Sequence, residues 1–292
     1  MSIQRVLTSS WVLIMLLVGL TACSNQPPDP VEFQPTTIPT LEVRLSTPAP
    51  ASTLTVDPTL TPSPSLEPTL SQTSVCSPLH GFQLAQLAEI VSNPFEMPSP
   101  GSDGGHHGVD FSFYSYGALT QMLGLPVRSM TGGVVAAVID DRPPYGYAIL
   151  VETPLESLPP GWQSVLNQLP TPAYNPANDR LNCPVPLPPL PIIETESRSL
   201  YLLYAHLEKF PSFETGMKVA CGDQVGFVGT SGASVNPHLH LEARLGPSAV
   251  QFTSMAHYIN NATQQEMANY CAWRIGPHFQ LIDPMRLIQE IP

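Results

Sequence analysis

The chain has 292 residues, of which 42% are apolar and 12% are charged, and 23 acidic against 11 basic side chains give a formal net charge of -12. This balance argues against binding to nucleic acid, which needs a basic surface, and against electrostatic attachment to anionic lipid. We read the acidic excess as a source of solubility.

The first 22 residues are typical of a secretory signal peptide. Arg5 precedes an apolar run, Trp11–Leu20, which is shorter than the about 20 residues that a membrane-spanning helix needs. The segment Leu20–Cys23 resembles the bacterial lipobox, which implies cleavage before Cys23 and acylation of that cysteine. An ordinary signal peptide or a retained membrane helix is the alternative. We expect an exported protein of the cell envelope, held at the membrane through its lipid anchor only.

Residues 23–75 combine the acylated cysteine with a segment dominated by Pro, Thr and Ser. A segment without apolar periodicity cannot offset the entropy lost on ordering, so we predict a disordered, extended stalk. Its expected role is to carry the following domain away from the membrane. A wall-embedded or glycosylated stalk is the alternative.

Residues 76–292 are long enough for one domain with a sizeable core. Short apolar runs, mostly separated by Gly or Pro, predict a mainly β domain built on an antiparallel sheet, with few short helices. Asp283 before Pro284 predicts a capped helical turn near the end. Two insertions, at about 153–197 and 247–279, are predicted to be long loops. The predicted strands are Gly133–Ile139, Ala148–Val151, Leu200–Ala205, Gln224–Val228 and His238–Glu242.

Four cysteines remain beside Cys23, an even number in an oxidising compartment. Two disulfides are expected, and three connectivities are possible. A zinc cluster is less favoured because no two of these cysteines have C-x2–4-C spacing, and free thiols are the third alternative. We hypothesise the pairs Cys183–Cys221 and Cys76–Cys271. The first would pin the Pro-rich insertion beside the strands, and the second would tie the start of the domain to the other insertion.

Three short motifs concentrate histidine and aspartate. His106 and Asp110 lie four positions apart beside glycines, so an extended chain directs both side chains to one face and can approach an ion closely. His238 and His240 are two positions apart on a strand-like run and share a face. His206 ends an apolar strand within Tyr-Ala-His-Leu.

These residue types suit a catalytic metal site. A catalytic zinc takes three protein ligands, often imidazole and carboxylate, and leaves one position open. Two His and one Asp supply such a set, and two further His remain for proton transfer and charge stabilisation. Each motif alone is weak, because histidine pairs also occur by chance in strands. His107 is taken as an exposed neighbour of the first motif, and His80, His257 and His278 as structural.

In chain order, the three motifs resemble the pattern of the lysostaphin or LytM-type zinc endopeptidases. That pattern runs H-x-x-x-D, then Y-A-H-L, then G-x-S/T-G leading to H-L-H. The resemblance extends from about Ile90 to Ile288, with both insertions unmatched. Some members use a tyrosine shortly before the first ligand, but none lies between Cys76 and His106 here. The segment between Asp110 and Gly124 is also longer than usual.

The resemblance implies a LytM/lysostaphin-like β-sandwich groove with one Zn²⁺ per chain, held by His106, Asp110 and His240. It implies that His206 and His238 are the catalytic pair. The implied reaction is zinc-dependent hydrolysis of peptide bonds in peptidoglycan stem peptides or cross-bridges. A wall-binding scaffold or amidase activator on the same fold is one alternative, and a metal-binding surface lipoprotein with another role is the second. The bond cut and any protein partners stay open.

The first insertion leaves the strand ending at Val151 and returns to the strand that leads into His206. It is therefore expected either to wall the substrate groove or to decorate the surface. Its prolines limit its freedom and suit a shaped wall.

Overall fold

An eight-stranded antiparallel sheet organises residues 74–169, 181–184 and 197–290, which the computed structural model describes. The predicted signal peptide, the acylation site and nearly all of the predicted stalk lie outside these residues, so those expectations stay predictions. Within the described ranges, no helix is long and apolar enough to cross a membrane.

The strands alternate with few and short helices, which confirms the predicted mainly antiparallel β class. The main sheet has the order β1-β2-β9-β6-β5-β4-β7, and β10 pairs with β9. A second sheet pairs β3 with β8. The strands are β1 (Val91–Asn93), β2 (Gly108–Phe111), β3 (Pro126–Arg128), β4 (Gly133–Arg142), β5 (Gly146–Pro154), β6 (Arg198–Leu207), β7 (Lys218–Val219), β8 (Gln224–Phe227), β9 (Leu239–Pro247) and β10 (Gln280–Ile282). The helices are α1 (Pro160–Asn167), α2 (Gln264–Arg274) and α3 (Pro284–Gln289), with 3₁₀ turns at Leu84–Ile90 and Leu155–Ser157.

Strand β9 shows how the sequence assigns the two faces of the sheet. Its apolar residues Leu241 and Ala243 join a core with the small second sheet, α1 and α3. The alternate positions, His240, Glu242 and Arg244, point to the opposite face, because side chains alternate along a strand. On that face a second core contains apolar residues of β4, β5, β6 and α2. The sheet is thus buried on both faces, which explains the near-continuous apolar runs of β5 and β6.

Both insertions contain regular structure, so their prediction as plain loops is wrong in part. The first one forms the turn Leu155–Ser157 and α1, whose Trp162 is buried. The second one forms α2, which begins with a capping box between Thr263 and Glu266. That pattern is readable from sequence, although the helix itself is stabilised by burial against the sheet.

Two disulfides join the four cysteines of the domain, as expected, but the predicted pairing is wrong. The bonds are Cys76–Cys221 and Cys183–Cys271, with Cα separations of 5.7 and 5.9 Å. Cys76 donates its backbone N–H to the Met130 carbonyl, which brings the start of the domain beside the turn that holds Cys221. Cys183 instead packs with α2 in the second core.

The Cys76–Cys221 bond closes a segment of 145 residues, so its loss increases the entropy of the unfolded chain. We expect Cys76→Ser/Cys221→Ser to lower the free energy of unfolding by about 2–5 kcal/mol, measured by urea denaturation. Peptide mapping without reductant should recover a Cys76–Cys221 peptide and a Cys183–Cys271 peptide. A Cys76–Cys271 peptide would contradict the fold described here.

Candidate metal centre and cleft

The structure brings all five side chains that the sequence singled out to one cleft of about 380 Å³. These residues are His106, Asp110, His206, His238 and His240. Strand β9 is central to this arrangement, because His240 is the register partner of Asp110 on β2 and of Ala205 on β6. Residues far apart in sequence are therefore held by adjacent strands of one sheet.

Three donor atoms form a compact cluster. His106 Nε2 lies 3.1 Å from Asp110 Oδ1 and 3.2 Å from His240 Nδ1, and His240 Nδ1 lies 2.7 Å from Asp110 Oδ1. A tetrahedral zinc with bonds of about 2.0–2.1 Å separates its ligand atoms by about 3.3 Å. Two imidazoles and a carboxylate at these separations fit a zinc site, and they are the one His/Cys/Asp/Glu group of this kind among the described residues.

A hydrogen bond to a group outside the cluster fixes the orientation of each of its two imidazoles. His106 Nδ1 donates to the Pro94 carbonyl at 2.9 Å, so Nε2 is left to face the cluster. The His240 ring is turned the other way, because Nε2 donates to Glu242 at 3.2 Å and Nδ1 faces the cluster. Such outer contacts are how proteins set the tautomer and angle of metal-binding histidines.

Gly108 makes room for the His240 ring. A Cβ atom at Gly108 would clash with the Leu241 carbonyl oxygen and would lie 2.8 Å from Cε1 and 2.9 Å from Nε2 of His240. A larger residue would therefore disturb both the backbone of β9 and the position of the imidazole. Gly108 is thus required by the close approach of β9 and of the ring that β9 supplies.

His206 reaches the cleft through a break in the alternation of β6. Ala205 faces the second core and Leu207 the first core, so a regular strand would turn His206 toward the first core. His206 instead has a φ of 61°, and the pairing with β5 shifts at this point. The irregularity turns its ring toward His238, with 4.6 Å between ring centroids.

His206 and His238 are also fixed by backbone carbonyls. His206 Nδ1 donates to Ser231 O at 2.8 Å, and His238 Nδ1 donates to Asn236 O at 2.8 Å. Each ring therefore keeps Nε2 for other partners. His238 Nε2 lies 3.6 Å from Asp110 Oδ1, beside the three-atom cluster.

The surroundings set different charge states for these groups. Burial opposes the charge of Asp110, but hydrogen bonds with His106 and His240 outweigh it and hold the pKa of Asp110 well below its usual range. Burial and the neighbouring His240 and His238 lower the pKa of His206 to about 3. Burial opposes the charge of His240 too, but hydrogen bonds to two carboxylates raise its pKa to about 9. At neutral pH, His206 is therefore a neutral imidazole beside an ionised Asp110.

Glu242, to which the sequence reading gave no role, is fully buried behind this cluster. Its carboxylate accepts hydrogen bonds from His240, Tyr145, Arg244, Trp273 and Arg274. Burial opposes its charge, but Arg274 and Arg244 hold the pKa of Glu242 well below its usual range. A usable signal was present, since Glu242 and Arg244 occupy the polar face of a strand whose other face is apolar.

The expectation that His107 is an exposed neighbour is wrong. The residue is 1% exposed. Arg244 Nη2 donates to His107 Nδ1 at 2.8 Å, and His107 Nε2 donates to the Gly104 carbonyl at 3.1 Å. Burial and the charges of Arg274 and Arg244 lower the pKa of His107 to about 2, so the ring is neutral. His107 therefore links the first motif to the charges under the cleft.

Among the described residues, the second insertion contributes to the wall of the cleft and the first does not. Pro154 and Ser199 pair at the end of the β5–β6 hairpin where the first insertion is attached, whereas Tyr147 pairs with Leu207 at the other end. Seven residues of strand separate the two ends by roughly 20 Å. The described part of the first insertion does not line the cleft, whereas the second insertion supplies Tyr258, Tyr270 and Arg274.

The fold and the cleft together define a β protein with a histidine–aspartate site suited to zinc. In a comparison with known protein families, residues 191–252 match the model of Peptidase family M23. The matched range includes His206, His238 and His240, and the other two cleft residues precede it.

Curated relatives match over a short region. A protein named DD-carboxypeptidase/endopeptidase Mpg from Neisseria meningitidis serogroup B is 40% identical over 70 residues, which are 24% of this chain and 16% of that protein. The protein of the same name from Neisseria gonorrhoeae is 39% identical over 70 residues, with the same coverage. The match therefore spans about a sixth of the length of these relatives.

The similarity of this chain to solved structures is weaker than its similarity to the curated relatives. The catalytic domain of lysostaphin from Staphylococcus simulans superposes with a TM-score of 0.36 and 17% identity, covering 71% of this chain and 98% of that one. A zinc-containing peptidase from Vibrio cholerae gives a TM-score of 0.29 and 19% identity, covering 52% and 32%. Both TM-scores are below 0.5, so neither likeness carries weight for function.

The buried contacts of His107 generate a stability prediction. His107→Leu removes the ring nitrogen that accepts a hydrogen bond from Arg244, so a buried guanidinium N–H is left without an acceptor. We therefore expect a loss of about 1–3 kcal/mol in the free energy of unfolding. Urea denaturation measures this loss. His278→Leu, the same change at an exposed position, is expected to change stability by less than about 0.5 kcal/mol. Equal effects of the two substitutions would contradict the structural role of His107.

Proposed function

We propose that this protein is a zinc-dependent endopeptidase that hydrolyses peptide bonds in peptidoglycan stem peptides or cross-bridges. The observation that carries the proposal is the cluster of His106 Nε2, Asp110 Oδ1 and His240 Nδ1, whose atoms lie within 4.8 Å of one another. The match of residues 191–252 to the model of Peptidase family M23 supports a peptidase. The order of the three motifs, which resembles that of lysostaphin and LytM-type enzymes, supports peptidoglycan as the substrate.

In this proposal one zinc per chain is held by His106, Asp110 and His240. When bound, it would supply a Lewis acid and lower the pKa of a water molecule in the cleft. His206 donates from Nδ1 to Ser231 O, so its Nε2 carries the lone pair that can accept a proton from the attacking water. His238 lies beside it and, in its protonated form, can donate from Nε2 and stabilise charge on the scissile carbonyl oxygen. Their Nδ1 atoms are committed to carbonyls, so the rings hold these orientations.

We also propose that the chain works outside the cytoplasm, at the cell envelope. The basis is the signal-like start, the lipobox-like segment before Cys23 and the acidic composition. In this view the membrane contact is the lipid anchor alone, and residues 24–75 give the domain reach toward the wall. Paired cysteines suit such a location, because disulfides persist in oxidising compartments.

The metal assignment is tested by His240→Ala. This change removes one of three donor atoms, so we expect zinc content to fall from about one per chain to near zero and activity to be lost. His278→Ala, at an exposed histidine, is the matched control and should retain zinc. Elemental analysis after gel filtration measures both variants. Full zinc retention in the His240→Ala protein would remove the ligand assignment.

Substitution of His206 or His238 is expected to separate zinc binding from turnover. His206→Ala and His238→Ala leave the three donor atoms intact, so zinc content should stay near one per chain. Each should lose roughly 10²–10⁴-fold in kcat, since that is the usual contribution of a general acid or base. Steady-state kinetics on a defined muropeptide measures this loss. A variant that turns over at the wild-type rate would exclude its residue from the reaction.

Digestion of purified peptidoglycan distinguishes the enzyme from a scaffold or amidase activator. An endopeptidase releases muropeptides whose masses identify the broken peptide bond, and a chelator should stop the release. A scaffold would bind the same wall material with no new fragments, with or without zinc. Mass spectrometry of the soluble products therefore decides between the two functions and identifies the bond.

A further inference from the structure

We propose that Arg274, on α2 of the second insertion, is a positioning residue for both histidine ligands. It contacts Glu242, the carboxylate behind His240, and Asp103, in the loop that leads to His106. The inference rests on the proposed function in that His106 and His240 hold the metal. The insertion would then be part of the support of the metal site, not only a wall of the cleft.

Arg274 supports His240 through Glu242. Glu242 Oε1 accepts from His240 Nε2 at 3.2 Å, from Arg274 Nη1 at 2.8 Å and from the Tyr145 hydroxyl at 2.9 Å. One oxygen atom therefore joins the arginine to the imidazole. A carboxylate behind a metal-binding histidine sets the ring angle, so a shift of Arg274 would move the acceptor that orients His240.

Arg274 also supports the loop before His106, through Asp103. Asp103 Oδ1 accepts from Arg274 Nε, and Asp103 Oδ2 accepts from the hydroxyls of Tyr258 and Tyr270. All three donors belong to the second insertion. The residues between Asp103 and His106 are two glycines, which have no side chains with which to anchor the loop. Asp103 is therefore the nearest side-chain anchor on this side of the first ligand.

On its other side, the backbone of His106 is paired with Glu96, with an N–H···O bond in each direction at 2.9 and 3.0 Å. The ring then depends on the carbonyl of Pro94, only two residues from Glu96. Asp103 lies in the loop between Glu96 and His106, so releasing Asp103 would loosen the frame that aims His106. His106 and His240 thus both depend on one guanidinium.

The charges favour a supporting role over direct binding of substrate. Arg274 is 11% exposed at its side chain, and its two carboxylate partners are 10% and 0% exposed. Arg244 forms a second bond to Glu242, so two cations balance two buried anions. Buried charges that are already paired in this way have little to gain from a substrate carboxylate.

The experiment compares Arg274→Gln, Arg274→Lys and Arg286→Gln in the full chain. Arg286 is an exposed arginine on α3, so it serves as the matched control. The zinc dissociation constant is measured by competition with a chromogenic chelator. Loss of an outer partner of a metal ligand usually weakens binding or activity by 10–100-fold, so we expect about 10–100-fold weaker zinc binding for Arg274→Gln.

Arg274→Lys should give partial rescue, because it restores the charge but cannot bridge two carboxylates as a guanidinium does. Arg286→Gln should bind zinc as the wild type does. If Arg274→Gln fails to fold, Asp103→Asn provides the second measurement: it keeps the side-chain shape but loses the charge that Arg274 contacts. It is expected to weaken zinc binding in the same direction, with near-UV circular dichroism unchanged.

Two results would overturn the inference while leaving the proposed function intact. One is wild-type zinc affinity in folded Arg274→Gln and Asp103→Asn proteins. The other is a raised KM in Arg274→Gln with unchanged zinc affinity and kcat, which would make Arg274 a substrate-binding residue. Failure of the wild-type chain itself to bind zinc would instead refute the proposed function.

Discussion

The buried negative charge of Glu242 is the constraint on which the architecture of the cleft depends. A carboxylate without access to water is tolerated only when opposite charges and hydrogen-bond donors surround it. Arg244 and Arg274 supply the charge, and the Tyr145 hydroxyl and the Trp273 indole supply further donors. These partners come from β5, β9 and α2 or from the residues flanking them. Satisfying one carboxylate therefore brings the second insertion against the sheet.

The four histidines of the proposed catalytic site follow a single rule with one exception. His106, His206 and His238 each donate from Nδ1 to a backbone carbonyl, whereas His240 donates from Nε2 to Glu242. The three carbonyls belong to Pro94, Ser231 and Asn236, in segments next to the strands, and Glu242 is held by its own partners. The rings therefore have fixed orientations before any ligand binds, which is the preorganisation that a catalytic metal site requires.

The features that sequence predicted correctly depend on local spacing or alternation. His106 with Asp110, and His238 with His240, are close in sequence, so a strand geometry suffices to bring each pair to one face. The disulfide pairing and the burial of His107 depend on which distant segments meet, and no local pattern specifies that. His206 is intermediate: its motif was readable, but its direction comes from a φ of 61° that breaks the alternation.

The second insertion changes the environment of the charged residues on the polar face of β9. On an open sheet, Glu242 and Arg244 would be solvated, and an exposed ion pair contributes little. With α2 packed over them the same charges interact in a low-dielectric core, where they can fix His240 and the Asp103 loop. The Cys183–Cys271 bond pins residues 181–184 against α2, and the His257 Nε2–Leu181 carbonyl bond adds a second contact there. The Cys183–Cys271 bond therefore ties α2, which carries Arg274, to residues 181–184, and such a bond persists in the oxidising location that we propose for this protein.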